Sequence, residues 1–344
     1  MAFNFDEVVS RDKSMEGGLS SRKILIYGGN NVGKTFQATR LSKGKTFLIA
    51  TEAGDGAVTS MKEPCSTWSH FKEIVTDFTN PKNIKKRQEM VEVIVIDTAE
   101  NLIELSESAI AREYGVRTVG DVQQASKGNP NGYLLARNDF KQQINKLCLA
   151  GYCVVFISHC EKVEEVDEIS GEAYTFIQPK GVSNEKSSMK MLLDLCDFTI
   201  YIKANPVDRE TLKVVPSTAI CVRTKNVFSR SRFDIVPMIN PFTAEGLRKA
   251  IEDAVKKSAE NEGVGIVDFN ADKHKEYTKE DYFEIIKPYV ERLYDICGDE
   301  IVDIIEAQLG QGRRVTDATD DDLVALDSIY NNLVTKATML GIDI

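Results

Sequence analysis

Apolar residues come in short dense runs through the first two-thirds of this chain and in periodic stripes through its last quarter. Ile24-Leu25-Ile26, Thr46 to Thr51, Val91 to Ile96, Cys153 to Ile157 and Phe198 to Ile202 are brief and nearly unbroken, as parallel strands buried on both faces must be. Between them, Leu102 to Tyr114 and Tyr133 to Ala150 carry apolar positions at helical spacing. Lys62 to Met90, charged and containing Pro64 and Pro81, reads as connecting helix and surface loop, and Gly115 to Gly132 as a loop near the strand ends. Alternation at Val163, Val166 and Ile169, a Ser170-Gly171 turn and Ala173 to Ile177 predict a β-hairpin over Val163 to Pro179. A short helix and a strand at Ala219 to Arg223 complete this part.

From Thr243 the pattern is helical to about Lys257, and Ser258 to Gly265 reads as a linker. Thr278-x-x-Asp281 then opens a helix with a capping box. Tyr282, Ile285, Ile286, Tyr289, Val290, Leu293 and Ile296 share one face of it, and Leu323, Leu326, Ile329, Tyr330, Leu333 and Val334 form a second stripe, core or docking surface without chemistry. The pattern predicts an α/β fold: a mostly parallel central sheet flanked by helices, with a small helical C-terminal extension. The predicted divisions are a loose polar leader over 1–21, one large domain over 22–257, and linker plus extension over 258–344.

The apolar fraction of 42% and charged fraction of 28% are those of an ordinary soluble protein. No run approaches the length of a membrane span, and Met1 to Ser20 lacks the apolar core of a secretory signal, so a cytoplasmic protein without a membrane partner is expected. Seven cysteines, an odd number without a C-x-x-C pair, read as reduced core residues. A net charge of −10 argues against indiscriminate nucleic-acid binding and leaves a local basic groove open.

Candidate chemistry begins where the first strand ends. Gly28-Gly29-Asn30-Asn31-Val32-Gly33-Lys34-Thr35 fits the phosphate-loop pattern G-x-x-x-x-G-K-[ST], between an apolar strand and a polar helix as that pattern requires. Gly28 and Gly33 leave backbone N–H groups clear for a phosphate, and the helix start adds more of them with a positive dipole end. Lys34 supplies a point charge and Thr35 a hydroxyl for Mg²⁺. The strand ending at Ile96 delivers Asp97 to the same sheet edge, where it can hold the Mg²⁺ water shell. Thr98-Ala99 follow it instead of a glutamate, so the base must come from elsewhere: Glu52 is best placed, with Glu100 its rival. Ser158 or His159 can sense the γ-phosphate or the attacking water, against the plainer reading of a satisfied polar contact. No N-K-x-D guanine reader is present, so ATP is preferred.

In this order the motifs resemble the RecA-like recombinase ATPases: the loop at Gly28 to Thr35, a strand ending in a catalytic Glu52, a strand ending in a metal-associated Asp97, and a strand with a polar sensor at His159. The resemblance is closest to small phage-encoded nucleotide-binding proteins of that superfamily, including single-strand annealing recombinases of the Sak type, and covers about Arg22 to Pro237. It implies a RecA-like P-loop domain using ATP and Mg²⁺, with Glu52, Lys34 and His159 catalytic. It also implies DNA-stimulated hydrolysis, a homo-oligomeric ring or filament, and work on single-stranded DNA in phage recombination or replication beside a single-stranded DNA-binding protein or replication proteins. Lys180, Lys186 and Lys190 are the candidate DNA contacts, although the acidic first arm of the hairpin departs from the family pattern. Among Arg223, Lys225, Arg230 and Arg232, the pair Arg230 and Arg232 is expected to face a neighbouring subunit's nucleotide; a solvated basic edge is the alternative. A helicase or helicase loader, and a nucleotide-gated scaffold with negligible turnover, are the other readings.

Overall fold

The computed structural model describes residues 14–52, 59–80, 82–125, 131–184, 187–207, 215–267, 278–340 and 342. The chain divides into an α/β unit within Lys13–His274 and a helical unit within Lys275–Ile344. In the first, the elements run β1 (Ser14–Glu16), β2 (Lys23–Gly28), α1 (Lys34–Ala38), β3 (Thr46–Ala50), β4 (Met61–Pro64), α2 (Trp68–Thr79), α3 (Ile84–Met90), β5 (Val93–Asp97), α4 (Ala99–Glu113), α5 (Val122–Ala125) and α6 (Gly132–Leu149). They continue with β6 (Cys153–Ser158), β7 (Cys160–Val166), β8 (Ala173–Pro179), α7 (Met189–Leu195), β9 (Phe198–Lys203), β10 (Thr218–Ile220), β11 (Arg230–Ser231), β12 (Met238–Ile239), α8 (Ala244–Glu262) and β13 (Gly265–Val267).

The central sheet has the order β12-β10-β9-β2-β6-β5-β3-β4, parallel from β9 to β4, with antiparallel β10 and β12 beyond β9 and β11 also paired to β9. Its central strands β2, β3, β5 and β6 are mostly apolar because both faces are covered. Leu25, Ile94, Ile96, Val154 and Phe156 meet Trp68 and Phe71 of α2 and Phe140 and Ile144 of α6. Ile24, Ile26, Val93, Val95, Val155 and Ile157 turn the other way, to Ala38, Leu247 and Ile251. Each such side chain contributes about 1.5–3 kcal/mol when fully buried, and alternate residues serve opposite faces, so the strand register is fixed from both sides. That register sets Ala50 beside Asp97 and Asp97 beside Ile157, gathering the carboxyl ends of β3, β5 and β6 at one edge.

Several elements differ from the sequence expectation for identifiable reasons. Met61–Pro64, read as connection, is a parallel edge strand on β3; an edge tolerates charge and proline, so its sequence carries no apolar signature. Part of the predicted leader is ordered: Ser14–Glu16 pairs in parallel with β13, which starts at the last residue of the predicted linker, and Leu19 is buried. Residues 1–13 lie outside the described residues. The helix expected to end near Lys257 runs to Glu262 and stops at Gly263, whose φ of 64° supplies a left-handed cap. Within the predicted loop Gly115 to Gly132, Val119 and Val122 are buried against Ile110 and Ala136; residues 126–130 lie outside the described residues. The strand expected over Ala219 to Arg223 is Thr218–Ile220, after which the chain crosses to the hairpin, where Asn226 Nδ2 donates to Thr175 O at 2.9 Å. The hairpin itself begins at Cys160, immediately after His159.

The helical unit pairs α9 (Lys279–Leu309) with α10 (Leu323–Leu340) around Ile286, Leu293, Ile301, Leu326, Ile329 and Leu333. The Thr278–Asp281 capping box forms as predicted. Non-helical angles at Cys297 break the first helix, and Ile296, at the end of the stripe read as core or docking surface, is 57% exposed. All seven cysteines are free thiols. No described helix is long and apolar enough to cross a membrane.

Candidate functional site

The loop after β2 turns into α1 through Gly33, whose φ of 84° is a conformation that costs an L-residue with a Cβ about 1–2 kcal/mol. Gly28 is required for a different reason from the one its motif suggests: a Cβ there would stand 2.5 Å from Ile202 O on the adjacent β9. Lys34 is buried, and its Nζ donates to Gly28 O at 2.9 Å and Gly29 O at 2.7 Å, so the ammonium is held over the loop. Burial lowers its pKa, and the nearby Asp97 opposes that shift.

Thr35 Oγ1 donates to Asp97 Oδ2 at 2.6 Å, joining the first turn of α1 to the end of β5. Burial raises the Asp97 pKa against the pull of that hydrogen bond, and the charge of Glu52 raises it further. A hydroxyl and a carboxylate in contact form the hard-oxygen donor set that Mg²⁺ takes, so the residues present fit the ion. Glu52 Oε1 accepts from Thr98 Oγ1 and from Asn101 Nδ2, each at 3.1 Å. Asn101 lies in the first turns of α4, four residues after Asp97, so one helix start aims two groups at the site. Asn30, Asn31, Lys34, Thr35, Glu52, Asp97, Thr98 and His159 line one cleft of about 220 Å³.

The geometry separates Ser158 from His159. The Ser158 hydroxyl is fully buried and donates to Glu100 Oε1 at 3.0 Å, whereas His159 lines the cleft. Glu100 Oε1 also accepts from His159 N at 2.8 Å and lies 3.5 Å from His159 Nδ1. Glu100 does not line this cleft. It lines a neighbouring one of about 270 Å³, together with Glu52, Glu104, Glu107, His159 and Lys180. Its role and that of Asn101 were not legible from the loop motif; their one signal is their spacing after Asp97.

The remaining candidates lie elsewhere. Lys180 stands at the second cleft and Lys190 is exposed on α7, while Lys186 lies outside the described residues. Arg230 and Arg232 sit at and just after β11, which pairs with Thr199 and Phe198 at the amino end of β9, away from the phosphate loop. Arg230 Nη1 is 3.4 Å from Asp194 Oδ1; Arg232 is 3.3 Å from the buried Asp197 and donates to Asp194 O. Lys225 pairs with Asp167 at 2.9 Å, and the Arg223 guanidinium lies over the Phe176 and Phe228 rings.

Residues 20–233, from just before β2 to just after β11, match the family described as AAA domain. Over 326 residues, 92% of this chain and 94% of the relative, the sequence is 30% identical to the SPbeta prophage-derived uncharacterized protein YorG of Bacillus subtilis (strain 168). With that match over more than half its length and a phosphate loop on a mostly parallel α/β sheet, the chain belongs to the AAA domain family, of P-loop ATPase type.

Proposed function

We propose that this protein binds ATP with Mg²⁺, hydrolyses it, and uses the turnover on single-stranded DNA in phage-type recombination or replication, assembled as a homo-oligomer. The observation that carries the catalytic half is Glu52, tethered by Thr98 and Asn101 on the cleft that also holds Lys34, Thr35 and Asp97. A nucleotide-gated scaffold needs no such oriented carboxylate beside its phosphate loop; hydrolysis does, because a base must take the proton of the attacking water. Lys34 offers the phosphates a charge, Thr35 and Asp97 would hold Mg²⁺, and Glu52 is the base. Mg²⁺, when bound, neutralises charge that develops on the phosphate oxygens.

The DNA half is supported by the prophage relative and by the exposed lysines Lys180 and Lys190. Against them stand the glutamates of β7, so binding is expected to depend on the assembled, nucleotide-bound form. The decisive experiment is steady-state phosphate release without DNA, with single-stranded DNA and with duplex, beside sizing with and without a non-hydrolysable ATP analogue. Hydrolysis stimulated by single strands is expected. A rate indifferent to DNA overturns the DNA half; absence of both turnover and nucleotide binding overturns the whole reading.

A further inference from the structure

We propose that Glu100 is a positioning residue that acts through His159: its carboxylate fixes the ring orientation and the Nδ1–H tautomer, leaving Nε2 for the nucleotide cleft. This rests on the ATPase reading only for what His159 senses; the placement of the ring is a separate matter.

Three contacts converge on a single oxygen. Glu100 Oε1 takes the Ser158 hydroxyl at 3.0 Å and the His159 N–H at 2.8 Å, and stands 3.5 Å from His159 Nδ1. His159 is also held from its other side, since its carbonyl accepts from Lys180 N at 3.0 Å, at the end of the hairpin that begins one residue later. The residue is therefore pinned at both backbone groups, its ring Nδ1 lies on the Glu100 side, and it lines both the phosphate-loop cleft and the neighbouring one.

The other oxygen carries the argument further. Glu100 Oε2 is buried and has no hydrogen-bond partner among the described residues, although buried polar atoms as a rule have one. Hydrogen bonding to Ser158 and His159 N–H would be met by a single carbonyl, so those bonds alone do not account for a carboxylate with an idle second oxygen. What a carbonyl lacks is the negative charge facing the imidazole. A carboxylate beside Nδ1 stabilises the tautomer protonated there, as the partner of one ring nitrogen sets the state of the other.

The test reads the ring directly. The chain contains only three histidines, His70, His159 and His274, so long-range ¹H–¹⁵N spectra of the imidazoles can be assigned by substituting each in turn. At pH about 8, above the ordinary histidine range, wild-type His159 is expected in the Nδ1–H form. Glu100→Ala should shift it toward Nε2–H, Glu100→Gln should fall between the two, and Ser158→Ala should leave it unchanged. In turnover, Glu100→Ala should lower kcat by about tenfold or more with KM little changed, and His159→Ala should not add to that loss. An Nε2–H ring in the wild type, or the same tautomer in wild type and Glu100→Ala, overturns the proposal. Should Glu100→Ala fail to fold, the wild-type tautomer and an intermediate Glu100→Gln decide it. The expected tautomer series in a protein that hydrolyses nothing would sink the ATPase reading and leave the positioning role standing.

Discussion

Glu52→Gln is the substitution that most directly separates an ATPase from a nucleotide-gated switch. A glutamine carbonyl can replace Oε1 and keep the donors Thr98 Oγ1 and Asn101 Nδ2, so the side chain should stay on the cleft wall. What disappears is the group able to accept a proton from water, worth about 10²–10⁴ in rate, or about 2.7–5.4 kcal/mol of barrier. Binding should survive, because Glu52 makes no hydrogen bond to Lys34, Thr35 or Asp97. The assay is phosphate release at saturating ATP paired with calorimetric titration of the non-hydrolysable analogue at fixed Mg²⁺. A variant within about threefold of the wild-type rate, or one that no longer binds nucleotide, refutes the assignment. If Glu100→Gln abolishes turnover while Glu52→Gln does not, the base is Glu100, against the lining of the cleft.

Lys34→Ala should remove tight ATP·Mg²⁺ binding, since its ammonium is the principal cation over the loop; unchanged affinity by calorimetry would sink that role. Lys180→Ala/Lys190→Ala should flatten the salt dependence of single-stranded DNA binding by about 0.7 log–log units for each DNA phosphate no longer neutralised, and an unaltered slope rules those lysines out. Arg230→Ala mixed with Lys34→Ala should hydrolyse more than the sum of the two, because the Arg230–Asp194 pair is exposed and worth only about 0–1 kcal/mol to leave; strict additivity in a co-assembled mixture excludes a trans role. Arg248→Leu should destabilise the α/β unit by about 1–2 kcal/mol at neutral pH in urea unfolding. Although burial opposes it, hydrogen bonds from Arg248 and Ser42 hold the Glu92 carboxyl below its ordinary range. That stability is present above the ordinary glutamate pKa of about 4.3 and is lost as pH falls through the depressed value, so wild type and variant should converge in acid. A gap that persists there would mean the ion pair is not its source.

The sequence made the centre of the molecule legible and its edges illegible, and the physics of burial explains both. A parallel strand covered on two faces can hardly be other than apolar, so β2, β5, β6 and β9 announced themselves, and with them the sheet edge on which Thr35, Asp97, Glu52 and His159 meet. An edge strand such as Met61–Pro64 owes its existence to backbone pairing with β3, which any side chain permits, and β1 with β13 forms from segments far apart in the chain. The same division runs through the site. Groups that act on a ligand are marked by type and spacing, whereas groups that orient them are marked only by contact, as Asn101 is to Glu52 and Glu100 to His159. Arg232 shows the converse. Basic residues at a strand exit suggest a ligand, but the buried Asp197 claims this guanidinium and also accepts from Lys23 N at 2.8 Å at the start of β2. A charge engaged with a buried carboxylate is costly to withdraw, so of the two arginines it is Arg230, paired with the exposed Asp194, on which the proposed role across a subunit boundary has to rest.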